Sequence, residues 1–297
     1  MKVLNYGSLN IDYVYEVDHF VKKGETLLSR NLKRFCGGKG LNQSVALKRA
    51  GLSVYHAGMI GEDGLFLKEF LEKENINTNF LKVSKDIPTG NAIIQNDISG
   101  DNSIILYGGA NQNINLSDVE NTLQNFDKND YIVLQNEINN IGNIIEIAHN
   151  RGMKILFNPA PINENINKIN FEYIDILILN EIEASFFLKN KEITCDNLKE
   201  LRKIFPNAEI IVTLGEKGSI YFYKNTIIRQ NAFKVEAIDS TGAGDTFIGY
   251  FLACKLKQES IKTSFEIASK ASAISVTRIG ASVSIPTMDE VSKLKSK

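Results

Sequence analysis

Asp239-Ser240-Thr241-Gly242-Ala243-Gly244-Asp245 runs directly into Thr246-Phe247-Ile248-Gly249-Tyr250-Phe251-Leu252-Ala253-Cys254, a turn of small residues opening an apolar helix with an acid in its first turn. Small residues let backbone N–H groups approach a ligand closely, and at a helix N-terminus those donors are unpaired and the dipole is positive. A phosphate would sit well there. A carboxylate at the same point repels phosphate, so Asp245 makes sense at an anion site only if it takes a proton from the attacking group. The alternative for this stretch alone is an acid complementing the helix dipole above a tight glycine turn. Spacing removes two common phosphate loops: G-x-G-x-x-G fails at Phe247, and no G-x-x-x-x-G-K-[ST] occurs.

The rest of the chain bounds what such a site can serve. Its 297 residues suffice for one large α/β domain with a small appendage, and 43% hydrophobic with 23% charged residues is ordinary for a globular protein. With 34 basic and 35 acidic residues there is no general attraction to nucleic acid or anionic membrane, so phosphate binding has to be local. Met1 to Gly7 is too short an apolar stretch for a signal peptide, and no run approaches the ~18 apolar residues of a membrane helix. Cys36, Cys195 and Cys254 are odd in number and lack zinc-ligand or disulfide-framework spacing, so a reducing, cytoplasmic setting is expected. His19, His56 and His149 stand apart from one another and read as surface or packing residues.

Short apolar runs alternate with helical patterns. Strands are expected at Lys2–Gly7, Val54–Ile60, Tyr131–Gln135, Lys154–Asn158, Ile174–Leu179 and Glu209–Leu214. Helices are expected at Gly40–Ala50, Asp63–Glu74, Ile141–Asn150, Glu181–Leu188 and Asn197–Ile204. That alternation predicts a mostly parallel sheet flanked by helices on both faces, with ligands beyond the C-terminal ends of the strands. Two segments break the pattern. Asp12–Phe35 carries Tyr13, Tyr15 and Val17 at period two, and in Thr89–Tyr107 two β-like runs flank Ser99-Gly100-Asp101 as in a hairpin. Consecutive strands without helices predict a small separate sheet, a lid formed by about 12–36 and 88–108 inserted into a single domain spanning 1–297. Its edges and apolar face would be covered by a second subunit, which predicts a homodimer through the lid.

A second glycine cluster, Gly37-Gly38-Lys39-Gly40-Leu41-Asn42-Gln43-Ser44, precedes the helix closed by Gly51 and places a bare backbone, a cation and an amide together. Alone it also reads as a glycine turn with a solvated lysine. Taken with Asp239 to Asp245, with Gly51 and Gly61 downstream, it resembles the signature pair of the ribokinase-like (PfkB) carbohydrate kinase family. The resemblance covers essentially the whole chain, through Gly7 to Asp12, Gly108 to Asn111, Asn158 to Pro161, Asn180 to Glu183, Thr213 to Gly218 and Val276 to Ala281.

The resemblance implies roles for particular residues. Asn10, Asp12, Gly37, Gly38, Lys39, Asn42 and Glu137 would hold the hydroxyls of a sugar, with Asp245 reaching the one that reacts. Asn180, Glu183, Thr213, Leu214, Gly215, Glu216, Lys217, Gly218, Gly244 and Ser269 would surround ATP, with Asn180 and Glu183 forming an N-x-x-E element tied to magnesium and phosphate. Asp239, Thr241, Ser275, Arg278, Gly280 and Ser284 would hold a monovalent cation, usually potassium, largely through backbone carbonyls. One position departs from the family pattern: Tyr250 stands where a small residue is usual, which implies rearranged helix packing there; Ser269 stands in a region that often flanks the adenine. The implied reaction is transfer of the γ-phosphoryl of ATP to O5 of D-ribose, with Asp245 as general base and an anion hole at Gly242, Ala243 and Gly244. Deoxyribose, a fructose-type sugar or a nucleoside are the alternative acceptors. A sugar-binding regulator without catalysis is the alternative class, opposed by the intact Asp245 turn and Glu183.

Overall fold

The computed structural model describes residues 1–294; the last three residues of the span 1–297 expected for the domain lie outside the described residues. Its strands are β1 (Val3–Tyr6), β2 (Asn10–Glu16), β3 (Asn31–Gly37), β4 (Val54–Gly61), β5 (Asn77–Ser84), β6 (Gly90–Asn96), β7 (Asn102–Tyr107), β8 (Tyr131–Gln135), β9 (Lys154–Asn158), β10 (Ile176–Asn180), β11 (Glu209–Thr213), β12 (Ser219–Tyr223) and β13 (Thr226–Gln230). The helices are α1 (Lys39–Arg49), α2 (Leu65–Lys73), α3 (Leu116–Leu123), α4 (Ile141–Asn150), α5 (Glu181–Phe187), α6 (Cys195–Ile204), α7 (Ala243–Leu256), α8 (Ile261–Ser275) and α9 (Met288–Lys293).

One sheet has the order β13-β12-β11-β10-β9-β8-β1-β4-β5 and is parallel from β5 to β11, with β12 and β13 antiparallel at one edge. Its central strands are short and wholly apolar or nearly so because both faces are covered. Side chains alternate between two cores. Leu4, Leu134, Phe157, Leu177 and Ile210 enter one, beside α3, α4 and α6, while Val3, Val133, Leu156, Ile178 and Ile211 enter the other, beside α1, α2, α7 and α8. Each fully buried aliphatic or aromatic side chain here contributes about 1.5–3 kcal/mol relative to exposure. α7 is apolar on all sides and buried from Asp245 to Cys254, the behaviour of a helix covered on every face.

The second sheet has the order β3-β2-β6-β7. β2 pairs antiparallel with β3 and β6 with β7, as consecutive hairpin-like segments do. Its middle pair, β2 with β6, is parallel, and this joins segments separated by α1, β4, α2 and β5. β5, β12, β13, α3, α8 and α9 are additions to the elements read from sequence. The helix expected at Asp63–Glu74 begins at Leu65, after a short 3-10 turn over Glu62–Gly64.

Candidate active site

Polar residues gather where β1, β8, β9, β10 and β11 end. The chain runs from β1 to β4 on one side and later to β8 on the other, so the strand order reverses between β1 and β8 and opens a crevice there. Ser8 and Asn10 lie beyond β1, Asn136 and Glu137 beyond β8, and Asn158, Asn180 and Thr213 close β9, β10 and β11.

The turn before α7 closes this crevice. Gly242 is the helix N-cap with φ +75°, in the left-handed region, and an added Cβ would lie 3.2 Å from Ala281 Cα. Among the described residues the N–H groups of Gly242, Gly244 and Asp245 have no acceptor, whereas that of Ala243 turns to the Ser240 carbonyl at 3.3 Å. The N–H groups without an acceptor in this turn are thus those of Gly242, Gly244 and Asp245. Asp239 ties this turn to the loop after α8: its carboxylate accepts from the Thr241 N–H at 2.9 Å and the Gly280 N–H at 2.8 Å. Burial works to raise the Asp239 carboxyl, but the hydrogen bonds from Thr241 and Gly280 outweigh it and hold it below the ordinary carboxylate range.

Asp245 is buried and held at both oxygens by α1. The Asn42 amide donates to Oδ2 at 3.0 Å and the Gln43 amide to Oδ1 at 2.9 Å. Lys39, in the first turn of α1, has its ammonium stabilised chiefly by Asp245, against the cost of burial. The Lys39 N–H donates to Glu137 Oε2 at 2.9 Å, and the Ser8 hydroxyl donates to the same oxygen. Burial pushes Glu137 and Glu183 upward, with Lys39 opposing in both cases. Asp12 is raised to about 7 by burial and, after that, by the charge of Glu137. Its carboxylate occupies the space where a Cβ on Gly37 would stand, 2.0 Å from Oδ2, so position 37 has to be glycine for the acid to lie there.

Two cavities meet in this cluster. The larger, about 420 Å³, is lined by Lys39, Asn158, Asn180, Glu183, Thr213, Gly215 and the segments at Ser240 and Gly242 to Asp245. The smaller, about 80 Å³, is lined by Asn10, Leu106, Asn111, Gln112, Asn136 and Glu137 among others. The hydrogen bond from Lys39 to Glu137 joins their walls. Asp12, Ala92 and Leu106 form one cross-strand row of the small sheet, which puts them on a common face at the smaller cavity.

Of the residues expected around a sugar, Asn10 and Glu137 line the smaller cavity and Lys39 the larger, whereas Asp12, Gly37, Gly38 and Asn42 line neither: Asp12 packs on Gly37, Gly38 caps α1 and Asn42 bonds Asp245. On the other side, Asn180 and Glu183 form a capping box for α5: the Asn180 side chain accepts from the Glu183 N–H at 2.9 Å, and Glu183 accepts from the Asn180 N–H at 2.8 Å. Glu183 therefore combines the helix-capping role of a first-turn acid with a place in the cavity wall. Leu214, Glu216, Lys217 and Gly218 lie in and beside the 3-10 turn Gly215–Lys217 rather than in the cavity wall, and Ser269 is buried within α8 away from it. Tyr250 is fully buried, and its hydroxyl donates to the Pro286 carbonyl at 2.5 Å. Gln43, Asn111 and Ser240 emerge only in three dimensions. Asn111 donates to Asn10 Oδ1 at 2.8 Å and also bonds both backbone groups of Leu9, so it orients Asn10.

No group of three His, Cys, Asp or Glu side chains able to hold a metal ion occurs among the described residues. Both Glu183 oxygens accept from Asn180, which suits a magnesium ion arriving with phosphate and keeping its water shell. Near Asp239, the Ser275 and Ser284 hydroxyls turn to the Ser272 and Ala281 carbonyls, each at 2.8 Å, and Arg278 pairs with Glu290 at 2.5 Å. The Arg278 guanidinium thus points to α9, and backbone oxygens of the two loops are the groups suited to a large monovalent cation.

A family model described as pfkB family carbohydrate kinase matches residues 1–288. The chain is similar to a ribokinase of Staphylococcus aureus (strain COL), 34% identical over 302 residues and covering 99% of each chain. Among solved structures, a ribokinase from Cryptococcus neoformans in complex with ADP superposes with a TM-score of 0.87 at 32% identity, covering 98% of this chain and 99% of that one. A ribokinase from Arabidopsis thaliana complexed with ribose and ATP gives a TM-score of 0.88 at 27% identity, covering 98% and 97%.

Proposed function

The chain belongs to the pfkB family of carbohydrate kinases, and from that membership we infer that it is a ribokinase, transferring the γ-phosphoryl of ATP to O5 of D-ribose. The observation that carries the reading is the position of Asp245, buried in the wall of the larger cavity beside Lys39, whose N–H reaches Glu137 of the smaller one, and next to backbone N–H groups that have no acceptor among the described residues.

ATP occupies the larger cavity with its phosphates toward Gly242, Gly244 and Asp245, whose N–H groups stabilise charge on the transferring group. The sugar lies in the smaller cavity. Asn10, Asp12 and Glu137 accept from its hydroxyls and Asn42 flanks the reacting end. Asp245 takes the proton of the attacking hydroxyl while Asn42 and Gln43 hold its carboxylate in place. Lys39 balances the acids on either side of the transfer path. Mg²⁺ bound with ATP would neutralise its β and γ phosphates, with Asn180 and Glu183 positioned to hold its water shell. K⁺ beside Asp239 and the 275–284 loop would order the turn that forms the anion hole.

We further propose that the small sheet is a lid within a single domain and pairs with that of a second subunit. Ile104 and Leu106 on the face shared with Asp12, and Leu32, Ile105 and Tyr107 on the opposite face, are all at least half exposed, so both faces of the sheet carry apolar side chains of the kind a partner covers. A cytoplasmic setting, where ATP is at hand, completes the reading. The test is ATP consumption over a panel of ribose, deoxyribose, fructose and nucleosides with Mg²⁺, with and without K⁺. Ribose should give the highest kcat/KM, and K⁺ should raise turnover. Preference for another sugar would reassign the acceptor, and tight sugar binding without turnover would make the protein a sugar-binding regulator.

A further inference from the structure

Behind Asp245 a file of fully buried polar side chains runs from α1 through the central strands. The Gln43 amide donates to Asp245 Oδ1 at 2.9 Å and to Asn158 Oδ1 at 3.4 Å. Gln43 Oε1 accepts from Gln135 Nε2 at 2.7 Å, and the same Gln135 nitrogen donates to Asn5 Oδ1 at 3.0 Å. Asn5 Nδ2 in turn donates to the Gly40 carbonyl at 2.7 Å and to Ser44 Oγ at 2.9 Å, and Ser44 lies 2.7 Å from His56 Nδ1. Gln43, Gln135, Asn5, Ser44 and His56 are each 0% exposed, so no water competes for these bonds.

The direction of every bond follows from the two ends. An ionised carboxylate only accepts, so Gln43 has to turn its NH₂ toward Asp245 and its carbonyl toward Gln135. Gln135 then spends both hydrogens, on Gln43 and on Asn5. Ser44, having accepted from Asn5, donates to His56 Nδ1, and the imidazole carries its proton on Nε2. Burial keeps that ring neutral, lowering it to about 3 against a partial offset from the Gly7 carbonyl. Nε2 has no partner of full hydrogen-bond geometry among the described residues, and neither does Gln135 Oε1. Rotating Gln135 to satisfy its carbonyl would set that oxygen against those of Gln43 and Asn5. The unpartnered oxygen is the cost of pointing Gln43 at the base.

We propose that Gln43 is a positioning residue for phosphoryl transfer, its amide fixed by Gln135 so that it clamps Asp245 in the orientation from which the sugar hydroxyl is deprotonated. Gln43 lines neither cavity and reaches the site through Asp245 at 2.9 Å and, by a longer bond of 3.4 Å, through Asn158. The proposal rests on the kinase reading above, and its test separates the two.

Gln43→Met keeps length and burial but removes both amide groups. It should lower kcat by about 10- to 100-fold while KM for ATP and sugar stay within about 3-fold, since the interaction is not made to substrate. In an Asp245→Ala background the same substitution should cost less than about 3-fold, because the group it positions is gone. Equal losses in both backgrounds, or a single variant within 3-fold of the parent, would overturn the proposal. If Gln43→Met fails to fold, Gln135→Met, which frees Gln43 to rotate, carries the same cycle with the same criteria. The assay uses whichever sugar the parent turns over fastest. A sugar other than ribose therefore defeats the earlier reading and leaves the cycle to judge this one, whereas no turnover with any sugar defeats both.

Discussion

Ala46 of α1 packs directly on Gly249 of α7: a Cβ on Gly249 would lie 2.4 Å from the Ala46 Cβ and 2.6 Å from its carbonyl carbon. One turn toward the N-terminus of α7 stands Asp245, and one turn toward that of α1 stand Asn42 and Gln43. The glycine sets the helix separation at which two amides reach one carboxylate. Gly249→Ala should therefore push the helices apart. Overpacking of about 1–3 kcal/mol should exceed the roughly 1 kcal/mol gained in helix propensity. The expected outcome is a lower melting temperature and a kcat reduced more than either KM, checked by thermal denaturation and steady-state kinetics.

Asp245→Ala removes the base and leaves the turn's N–H donors in place. Turnover should fall by about 10²- to 10⁴-fold or more, with a milder effect on sugar affinity. Measured kcat near the parent value would remove Asp245 from the chemistry.

Asp12 supplies a pH signature. Raised to about 7 by burial and by Glu137, it is largely protonated at pH 6 and ionised at pH 8, and only the ionised form offers all its lone pairs to sugar hydroxyls. Sugar KM should fall as pH rises through 7, and Asp12→Asn should flatten that dependence. Stability has the opposite sign. A carboxyl whose folded value exceeds its unfolded value of about 4 costs nothing below that pH, and its ionisation opposes folding increasingly from about pH 4 to 7 and fully above. Asp12→Asn should accordingly gain more melting temperature over the parent at pH 8 than at pH 4.

The apolar surface of β7 gives a prediction on assembly. Ile104→Asp puts a charge on a residue 55% exposed, on the sheet face it shares with Leu106. Sedimentation velocity should show a dimeric parent and a monomeric variant, with sugar KM raised because the sheet that carries Asp12 and Leu106 loses its support. A monomeric parent would refute the dimer.

Much of this was legible in sequence wherever the signal is local. Ile141–Asn150 appears as read, because its apolar spacing and flanking turns are self-contained, and the hairpin of β6 and β7 follows from two β-like runs about Ser99-Gly100-Asp101. The parallel pairing of β2 with β6 leaves no local trace, since each strand's partner is fixed by where α1 and β4 carry the chain. The same holds in the site. Asp245 stands out because an acid in a glycine turn is chemically odd, whereas Gln43 looks like any polar residue on a helix until α7 is packed against it. Sequence marks the glycine turn but not which of its N–H groups the closure of the turn engages, here that of Ala243.

The short span between the two sheets has a mechanical consequence. β2 follows β1 after only Gly7, Ser8 and Leu9, all buried, and a Cβ on Gly7 would lie 2.2 Å from Gln135 Oε1 and 2.7 Å from Gly40 Cα. That junction is a fulcrum, and β2 is a lever of seven residues, about 23 Å at roughly 3.3 Å per residue. A tilt of about 5° carries the Glu16 end by about 2 Å and leaves Asn10 nearly still. A tilt about that junction would thus move the outer rim of the sheet far more than the residues next to the strand ends.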